Sequence, residues 1–191
     1  MAKPKRSPRS QPLALELLAT DHRKVEDLFS QYEGEKDGDE DARRRLAERI
    51  CGELKIHTQV EEELFYPYLR ENLESDDMGL VEEAQVEHSG AKDLIEQIEA
   101  ATQIDAEYNA KVKVLGEYVK HHVNEEENEI FPKLSDQQEE LEDLGQEIAS
   151  RKEELAEEMG LDEEAGEESE EAGETAPGRP PRPEAGTRGS H

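Results

Sequence analysis

His57-Thr-Gln-Val-Glu61-Glu-Glu-Leu-Phe-Tyr-Pro67 recurs, with several changes, as His122-Val-Asn-Glu-Glu126-Glu-Asn-Glu-Ile-Phe-Pro132. In both segments a glutamate follows the histidine by four residues and a proline follows it by ten, and all three positions repeat at one offset of 65 residues. A lone histidine precedes each copy, since Asp21-His22 recurs as Glu87-His88 at an offset of 66 residues. The order H, HxxxE, H, HxxxE indicates a duplicated unit of two helices. Two histidines and one carboxylate per unit are typical of a metal site.

Composition limits the classes of protein and of partner. A chain of 191 residues is expected to form one domain, and with 32% hydrophobic and 39% charged residues each helix can carry only one apolar stripe. The formal net charge of −28 argues against nucleic acid or an anionic membrane as a partner. One cysteine suits a reducing compartment, and no apolar run is long enough for a membrane span or a signal peptide. We therefore expect a cytoplasmic protein.

Helical periodicity divides the chain into an all-α core with different ends. The four predicted core helices run from Pro12 to about Glu33, from Asp39 to about Leu73, over about 80–103, and from Ala106 to Phe131. Pro67 is expected to kink or end the second helix. Residues 135–160 predict an acidic amphipathic helix that packs on the core or on a protein partner. We interpret residues 1–12 as a disordered basic arm and residues 161–191 as a disordered acidic tail rich in Pro and Gly.

The histidines fall within the apolar rows of the predicted helices. His22, for example, lies in the row Leu15, Leu18, His22, Val25, Phe29, with steps of three and four residues. His57, His88 and His122 lie in equivalent rows, and so do Glu61 and Glu126. Buried carboxylates without compensation are unfavourable by several kcal/mol. A divalent cation supplies that compensation, because it binds ionised carboxylate and neutral imidazole.

A purely structural role for these residues is the alternative. Because 51 of 191 residues are acidic, a carboxylate follows a given histidine by four places about one time in four. A single buried histidine is also more often a hydrogen-bonded structural residue than a ligand. Four such histidines, one per helix, in two repeated frames favour the metal site.

One ligand pair is ambiguous, because His121 and His122 are adjacent and only one of them can face the core. The repeat offset and the apolar row favour His122 with Glu126, and His121 with Glu125 stays as the alternative. The acidic residues next to the two core glutamates are interpreted as a solvated face, with a role in metal entry as the alternative; they are Glu62, Glu63, Glu125 and Glu127. Tyr68 and Tyr118 are considered for hydrogen bonds near the centre, and Cys51 is interpreted as a packing residue.

The motif order, with its Tyr-Pro and Phe-Pro ends, resembles the hemerythrin-like (HHE cation-binding) family over residues 13–134. The resemblance implies an up-down-up-down antiparallel four-helix bundle that holds two iron ions in a non-haem di-iron centre. It further implies that the terminal ligands are His22, His57, His88 and His122, and that the bridging carboxylates are Glu61 and Glu126. Manganese and zinc stay open as alternatives, because ligand type alone does not separate them from iron.

Two departures from the oxygen-carrying hemerythrins bear on function. These carriers have a further histidine where this chain has Lys92, and a fourth-helix HxxxxD spacing where this chain has HxxxE. The resemblance therefore implies a protein that binds or processes a small oxidant (O₂, NO or peroxide) at an open iron position, including in a stress response, or that repairs iron centres. The alternatives are a metal-dependent sensor or interaction module without turnover, with the acidic C-terminal segment contacting a partner protein, and an iron-binding or storage protein. Whether the protein is an enzyme stays open.

Overall fold

The computed structural model describes residues 11–35 and 39–161, and these form long helices without a strand. The α-helical segments, in chain order, are α1 Leu13–Gly34, α2 Glu40–Val60, α3 Tyr66–Asn72, α4 Met78–Glu99, α5 Ala106–Glu125 and α6 Gln138–Met159. Short 3₁₀ turns cover Ser75–Asp77 and Phe131–Leu134. Within these described ranges, no helix has both the length and the apolarity needed to cross a membrane. The predicted disordered arm and tail lie, for residues 1–10 and 162–191, outside the described residues.

Side-chain caps fix where two of the helices begin. The carboxylate of Asp39 accepts a hydrogen bond from the backbone N–H of Asp41 at the start of α2. The carboxylate of Asp105 accepts one from the N–H of Tyr108 at the start of α5. Each cap satisfies a backbone donor that has no partner within the helix. α6 ends at Gly160, whose φ of 65° is the left-handed conformation that glycine adopts without strain.

Both glutamates of the repeat begin a π-helical turn. Glu61–Phe65 links α2 to α3, and Glu126–Ile130 follows α5. A proline lies two residues after each turn, at Pro67 and Pro132. Proline lacks the N–H that an α-helix needs and its ring crowds the carbonyl four residues earlier, so a wider turn before it is favourable. The predicted disturbance at Pro67 is therefore a π turn through which the helix continues.

The helices pack as an antiparallel four-helix bundle, in which α2 and α3 together form one long helix of the four. α1 contacts α2 and α5, and α4 contacts α2 and α5, so each helix of the bundle has two neighbours. Buried apolar side chains form two clusters, one around Leu18, Val60 and Phe65 and the other around Ile50 and Leu115. The predicted fold class, an all-α four-helix bundle with a further C-terminal helix, is confirmed.

α6 packs on the outside of the bundle against α1 and α2. Its predicted apolar row is buried at Leu141, Leu144, Ile148 and Leu155. Gly145 allows the close approach, because a Cβ there would lie 2.6 Å from the backbone nitrogen of Ala14. The apolar row of α6 therefore packs on the bundle, the first of the two predicted alternatives.

Candidate metal centre

Six buried polar side chains form a layer between the two apolar clusters. They are the residues that the repeat predicts: His22, His57, Glu61, His88, His122 and Glu126. None is more than 6% exposed, and both glutamates are fully buried. α1, α2, α4 and α5 each supply one histidine, so the structure brings the predicted set together from four helices.

The histidines pair by repeat. His22 and His57 have ring centroids 4.9 Å apart, and His88 and His122 have centroids 4.7 Å apart. Each pair faces a carboxylate oxygen. Glu61 serves both pairs, since its Oε1 lies 3.2 Å from His57 Nε2 and its Oε2 lies 3.2 Å from His88 Nε2. The result is two groups of donor atoms that share Glu61.

Glu126 links the two pairs less evenly. Its Oε2 lies 3.2 Å from His22 Nε2 and 4.0 Å from His122 Nε2. The donor atoms of His22, His57, Glu61 and Glu126 lie within 4.8 Å of one another, as do those of Glu61, His88 and His122. The layer therefore contains two neighbouring groups of donor atoms that share Glu61, and each of them could hold a metal ion.

Hydrogen bonding does not satisfy these buried atoms. His22 Nε2, His57 Nε2 and all four carboxylate oxygens of Glu61 and Glu126 have no hydrogen-bond partner. His22 Nε2 lies 3.2 Å from Glu126 Oε2 and His57 Nε2 lies 3.2 Å from Glu61 Oε1, although neither pair forms a hydrogen bond. Ligands bound at right angles about 2.1 Å from one ion are about 3 Å apart. The residues present therefore fit a metal ion.

Charge also favours a cation here. Burial and the charge of Glu126 raise the pKa of Glu61 well above its usual range. Burial opposes charge on His22, but the glutamates outweigh it and raise the pKa of His22 to about 9. Burial and the nearby His22 lower the pKa of His57 to about 4. The raised pKa of His22 favours a proton in the layer, and a bound cation would replace it, so we expect metal binding to release protons.

A carboxylate contacts the Nδ1 nitrogen of each of the four histidines in the layer. The four contacts are Glu127 to His22 at 2.9 Å, Asp21 to His57 at 3.5 Å, Glu62 to His88 at 3.2 Å and Glu87 to His122 at 3.1 Å. Such a carboxylate accepts the Nδ1–H and leaves the Nε2 lone pair for a metal. The interpretation of Glu62 and Glu127 as a solvated face is therefore wrong.

These outer carboxylates follow the repeat. Asp21 and Glu87 each precede a histidine of the layer, and each contacts the other histidine of its own half. Glu62 and Glu127 each follow a glutamate of the layer, and each contacts a histidine of the opposite half. The repeat offsets were a sequence signal for all four residues, because Asp21 with Glu87 and Glu62 with Glu127 are repeat partners.

A tyrosine distinguishes the second histidine pair from the first. The Tyr66 hydroxyl is fully buried and lies 3.0 Å from His88 Nε2. Its repeat partner is Phe131, whose ring stacks on His22 with centroids 6.3 Å apart. Tyr66 thus places a hydroxyl oxygen, a potential metal ligand, beside the His88 and His122 pair, and Phe131 offers no such oxygen to the other pair. Sequence reasoning considered Tyr68 instead, whose hydroxyl donates to Gln137 at 2.5 Å, outside the layer.

The adjacent histidines have different environments. His122 is 6% exposed and lies in the layer. The side chain of His121 is 59% exposed and contacts Glu125 and Glu87 at the surface, with Nε2 to oxygen distances of 3.2 and 3.4 Å. The structure thus places the favoured pair in the buried layer and the alternative pair at the bundle surface.

A small cavity of about 20 Å³ adjoins the layer. Its wall combines all four histidines of the layer with apolar side chains, among them Val25, Leu54 and Val119. This volume accommodates about one molecule of the size of water. Tyr118 lines the cavity while its side chain remains about half-exposed. A larger groove of about 750 Å³ between α1 and α5 contains none of the six layer residues.

Similarity to known proteins agrees with this geometry. Residues 13–134 match the family model described as the hemerythrin HHE cation binding domain. A protein named DNA nickase from Nostoc sp. is 30% identical over 116 residues, which are 61% of this chain and 32% of that protein. The chain therefore spans about a third of the length of that curated relative. No solved structure matches the chain. Because the family model covers more than half of the chain and both copies of the repeat, the chain belongs to the hemerythrin HHE cation-binding domain family.

Proposed function

We propose that this chain is a non-haem di-iron protein that binds or processes a small oxidant beside its metal centre. The observation that carries the proposal is the position of Glu61, whose two oxygens each lie 3.2 Å from a histidine of a different pair. A carboxylate in this position can bridge two cations. Imidazole and carboxylate donors with open positions favour iron, and manganese and zinc are the competing metals.

Donor counting leaves room for a small molecule. Four imidazoles and two bridging carboxylates fill about eight of the roughly twelve positions of two six-coordinate ions. Bound iron would supply coordination of a small oxidant and electron transfer to it. The chain's own contribution is a space of about 20 Å³ beside the layer, which restricts access to small molecules.

The residues that surround the layer and the cavity have separate tasks. Val25, Leu54 and Val119 exclude bulk water from the cavity, which strengthens the electrostatic interactions inside it. The Tyr66 hydroxyl provides a proton or an oxygen ligand on the His88 side. The outer carboxylates fix the orientation of the histidines.

The proposal does not extend DNA nicking to this chain. The relative with that name has about two thirds of its length outside the match, since the chain covers 32% of it. A net charge of −28 also opposes binding to phosphate backbones. The cytoplasm remains the predicted location, because the chain has a single cysteine.

Metal content tests the proposal. Protein purified anaerobically with ferrous iron should contain about two irons per chain, and His57→Ala or Glu61→Ala should lose them. His121→Ala is the matched control, since it removes an exposed histidine next to a layer histidine. Equal iron content in all four proteins, with unchanged helical circular dichroism, would overturn the proposal.

A metal-dependent sensor without turnover is the second candidate, because α6 contacts the histidine network, by which we mean the four layer histidines and the four carboxylates that contact their Nδ1 atoms. Lys152 of α6 pairs with Asp21, which contacts His57. Turnover of peroxide or nitric oxide by the iron-loaded protein separates the two candidates. Catalytic turnover supports oxidant processing, while stoichiometric ligand binding that changes partner binding supports the sensor.

A further inference from the structure

A helix outside the family domain reaches the metal centre. The family match ends at residue 134, and α6 begins at Gln138. The ammonium of Lys152 on α6 nonetheless contacts Asp21 Oδ1, and Asp21 Oδ2 lies 3.5 Å from His57 Nδ1. A continuous chain of contacts thus runs from α6 to a histidine whose Nε2 points into the layer.

His88 has a similar chain of contacts, which runs through Glu62 of the first half of the repeat. Lys92 Nζ lies 2.6 Å from Glu62 Oε1, and the same oxygen lies 3.2 Å from His88 Nδ1. Lys92 belongs to α4, within the bundle. His57 and His88 therefore each end a series of lysine, carboxylate and histidine, but the lysine of the series to His57 belongs to α6.

We infer that α6 is a working part of the metal centre and that Lys152 is a positioning residue acting through Asp21 on His57. The inference rests on the proposed metal function. The lysine holds the carboxylate in one orientation, in which it accepts the His57 Nδ1–H. That hydrogen bond directs the Nε2 lone pair toward the metal position.

Burial separates this contact from an ordinary surface ion pair. The side chains of Lys152 and Asp21 are 24% and 11% exposed. Exposed ion pairs contribute little to stability because water screens them. A partly buried contact such as this one is screened less, so Lys152 can hold the Asp21 carboxylate in one orientation. Asp21 has few alternatives, since His57 and Lys152 are the partners that its two oxygens contact.

Docking of α6 does not depend on Lys152. Leu141, Ile148 and Leu155 of α6 are buried against the bundle. The neighbouring Arg151 also links α6 to the bundle, through a contact of 2.7 Å between its Nε and Glu63 Oε2. Arg151 touches no residue of the histidine network among the contacts of the described chain, so it provides a matched control for Lys152.

The test compares Lys152→Met, Lys152→Arg and Arg151→Met in the full chain. Co²⁺ titration, followed by visible absorption, measures the affinity of the two metal positions without any activity assay. We expect Lys152→Met to weaken one of the two positions about 10- to 100-fold, as is typical when a residue supporting a metal ligand is lost. Lys152→Arg should restore most of the affinity, and Arg151→Met should leave it unchanged.

A double variant identifies the route. In an Asp21→Asn background, Lys152→Met should have no further effect on Co²⁺ affinity, because the connection to His57 is already broken. Thermal unfolding of the metal-free variants shows whether α6 remains docked. Equal affinity in Lys152→Met and the unmodified chain, or an equal loss in Arg151→Met, would overturn the inference alone. Absence of Co²⁺ binding by the unmodified chain would overturn the proposed metal function and the inference with it.

Discussion

The carboxylate of Glu61 and the imidazole of His88 lie 3.2 Å apart although they belong to opposite halves of the repeat. The reciprocal contact also exists, since Glu126 of the second half lies 3.2 Å from His22 of the first. Each half therefore completes the other. A single copy of the repeat has two histidines but lacks the second carboxylate that each cation position shares.

Loss of the Glu61 carboxylate should affect both cation positions, while loss of one histidine should affect mainly its own. We expect Glu61→Gln to bind no metal or to bind it at least tenfold more weakly at both positions. His88→Ala should retain one ion. Native mass spectrometry of the metal-loaded proteins measures these stoichiometries. Glu63→Gln is the control, and a Glu61→Gln variant that retains two tightly bound ions would show that Glu61 is not a bridge.

The outer carboxylates should tune metal affinity without determining the fold. Glu127→Gln keeps a side chain of similar size but weakens the acceptor for the His22 Nδ1–H. We expect a loss of about 10- to 100-fold in affinity at one position. Glu125→Gln is the control nearby in sequence, because Glu125 pairs with the exposed His121. Equal effects of the two variants in a metal titration would contradict the assignment.

Close packing of α6 on α1 predicts that Gly145 tolerates no side chain. A methyl group there would lie 2.6 Å from the backbone nitrogen of Ala14, which cannot move aside easily. Gly145→Ala should lower the free energy of unfolding by about 1–3 kcal/mol. Gly79→Ala, in α4 with no neighbour within 4 Å, should be neutral or stabilise by about 0.5–1 kcal/mol. Urea unfolding followed by circular dichroism measures both, and an equal or smaller loss at Gly145 would contradict the packing.

Cys51 should be chemically inert in the folded protein. It is 1% exposed, and burial together with the nearby Glu99 raises the pKa of its thiol to about 12. At pH 8 the reactive thiolate is therefore scarce and shielded. Iodoacetamide should modify the protein at pH 8 only after urea unfolding, as intact-mass spectrometry would show. Rapid modification of the native protein would mean that the region around Cys51 opens.

Tyr118 should control entry to the small cavity. It lines the cavity from a half-exposed position, and its ring packs over Gly90, where a Cβ would lie 3.1 Å from Tyr118 Cε2. Tyr118→Ala should raise the association rate of azide with the iron-loaded protein, measured by stopped-flow absorption. Tyr118→Phe keeps the ring and should leave the rate unchanged. An equal rate in Tyr118→Ala would place the entry route elsewhere.

Sequence periodicity was sufficient to predict the fold class and the six residues that meet in the layer. It was also sufficient to favour His122 over His121 for the buried position. Helical spacing determines which face of one helix a residue occupies, and burying four apolar faces leaves one place for the polar residues between them. The repeat offset then identified equivalent positions in the two halves.

Contacts between helices were harder to predict. Glu62 and Glu127 looked like solvated residues because their neighbours in sequence are acidic. Each nonetheless contacts an imidazole of another helix, because of how its own helix is rotated in the bundle. Lys152 is 131 residues away from Asp21 in sequence. Its role depends on the rotation and height of α6, which spacing within α6 does not determine. Tyr66 depends on the turn that precedes it.

The π turn at Glu61–Phe65 determines the directions in which the side chains just after Glu61 point. Residues five apart differ by about 140° in an α-helix, which would point Tyr66 away from the side that Glu61 faces. The π turn reduces this angle, so the consecutive Phe65 and Tyr66 are both fully buried and the Tyr66 hydroxyl reaches His88. The second copy widens in the same way but delivers the hydrocarbon ring of Phe131. The same π turn, used twice with different side chains after it, therefore places a hydroxyl beside one histidine pair and a hydrocarbon ring beside the other.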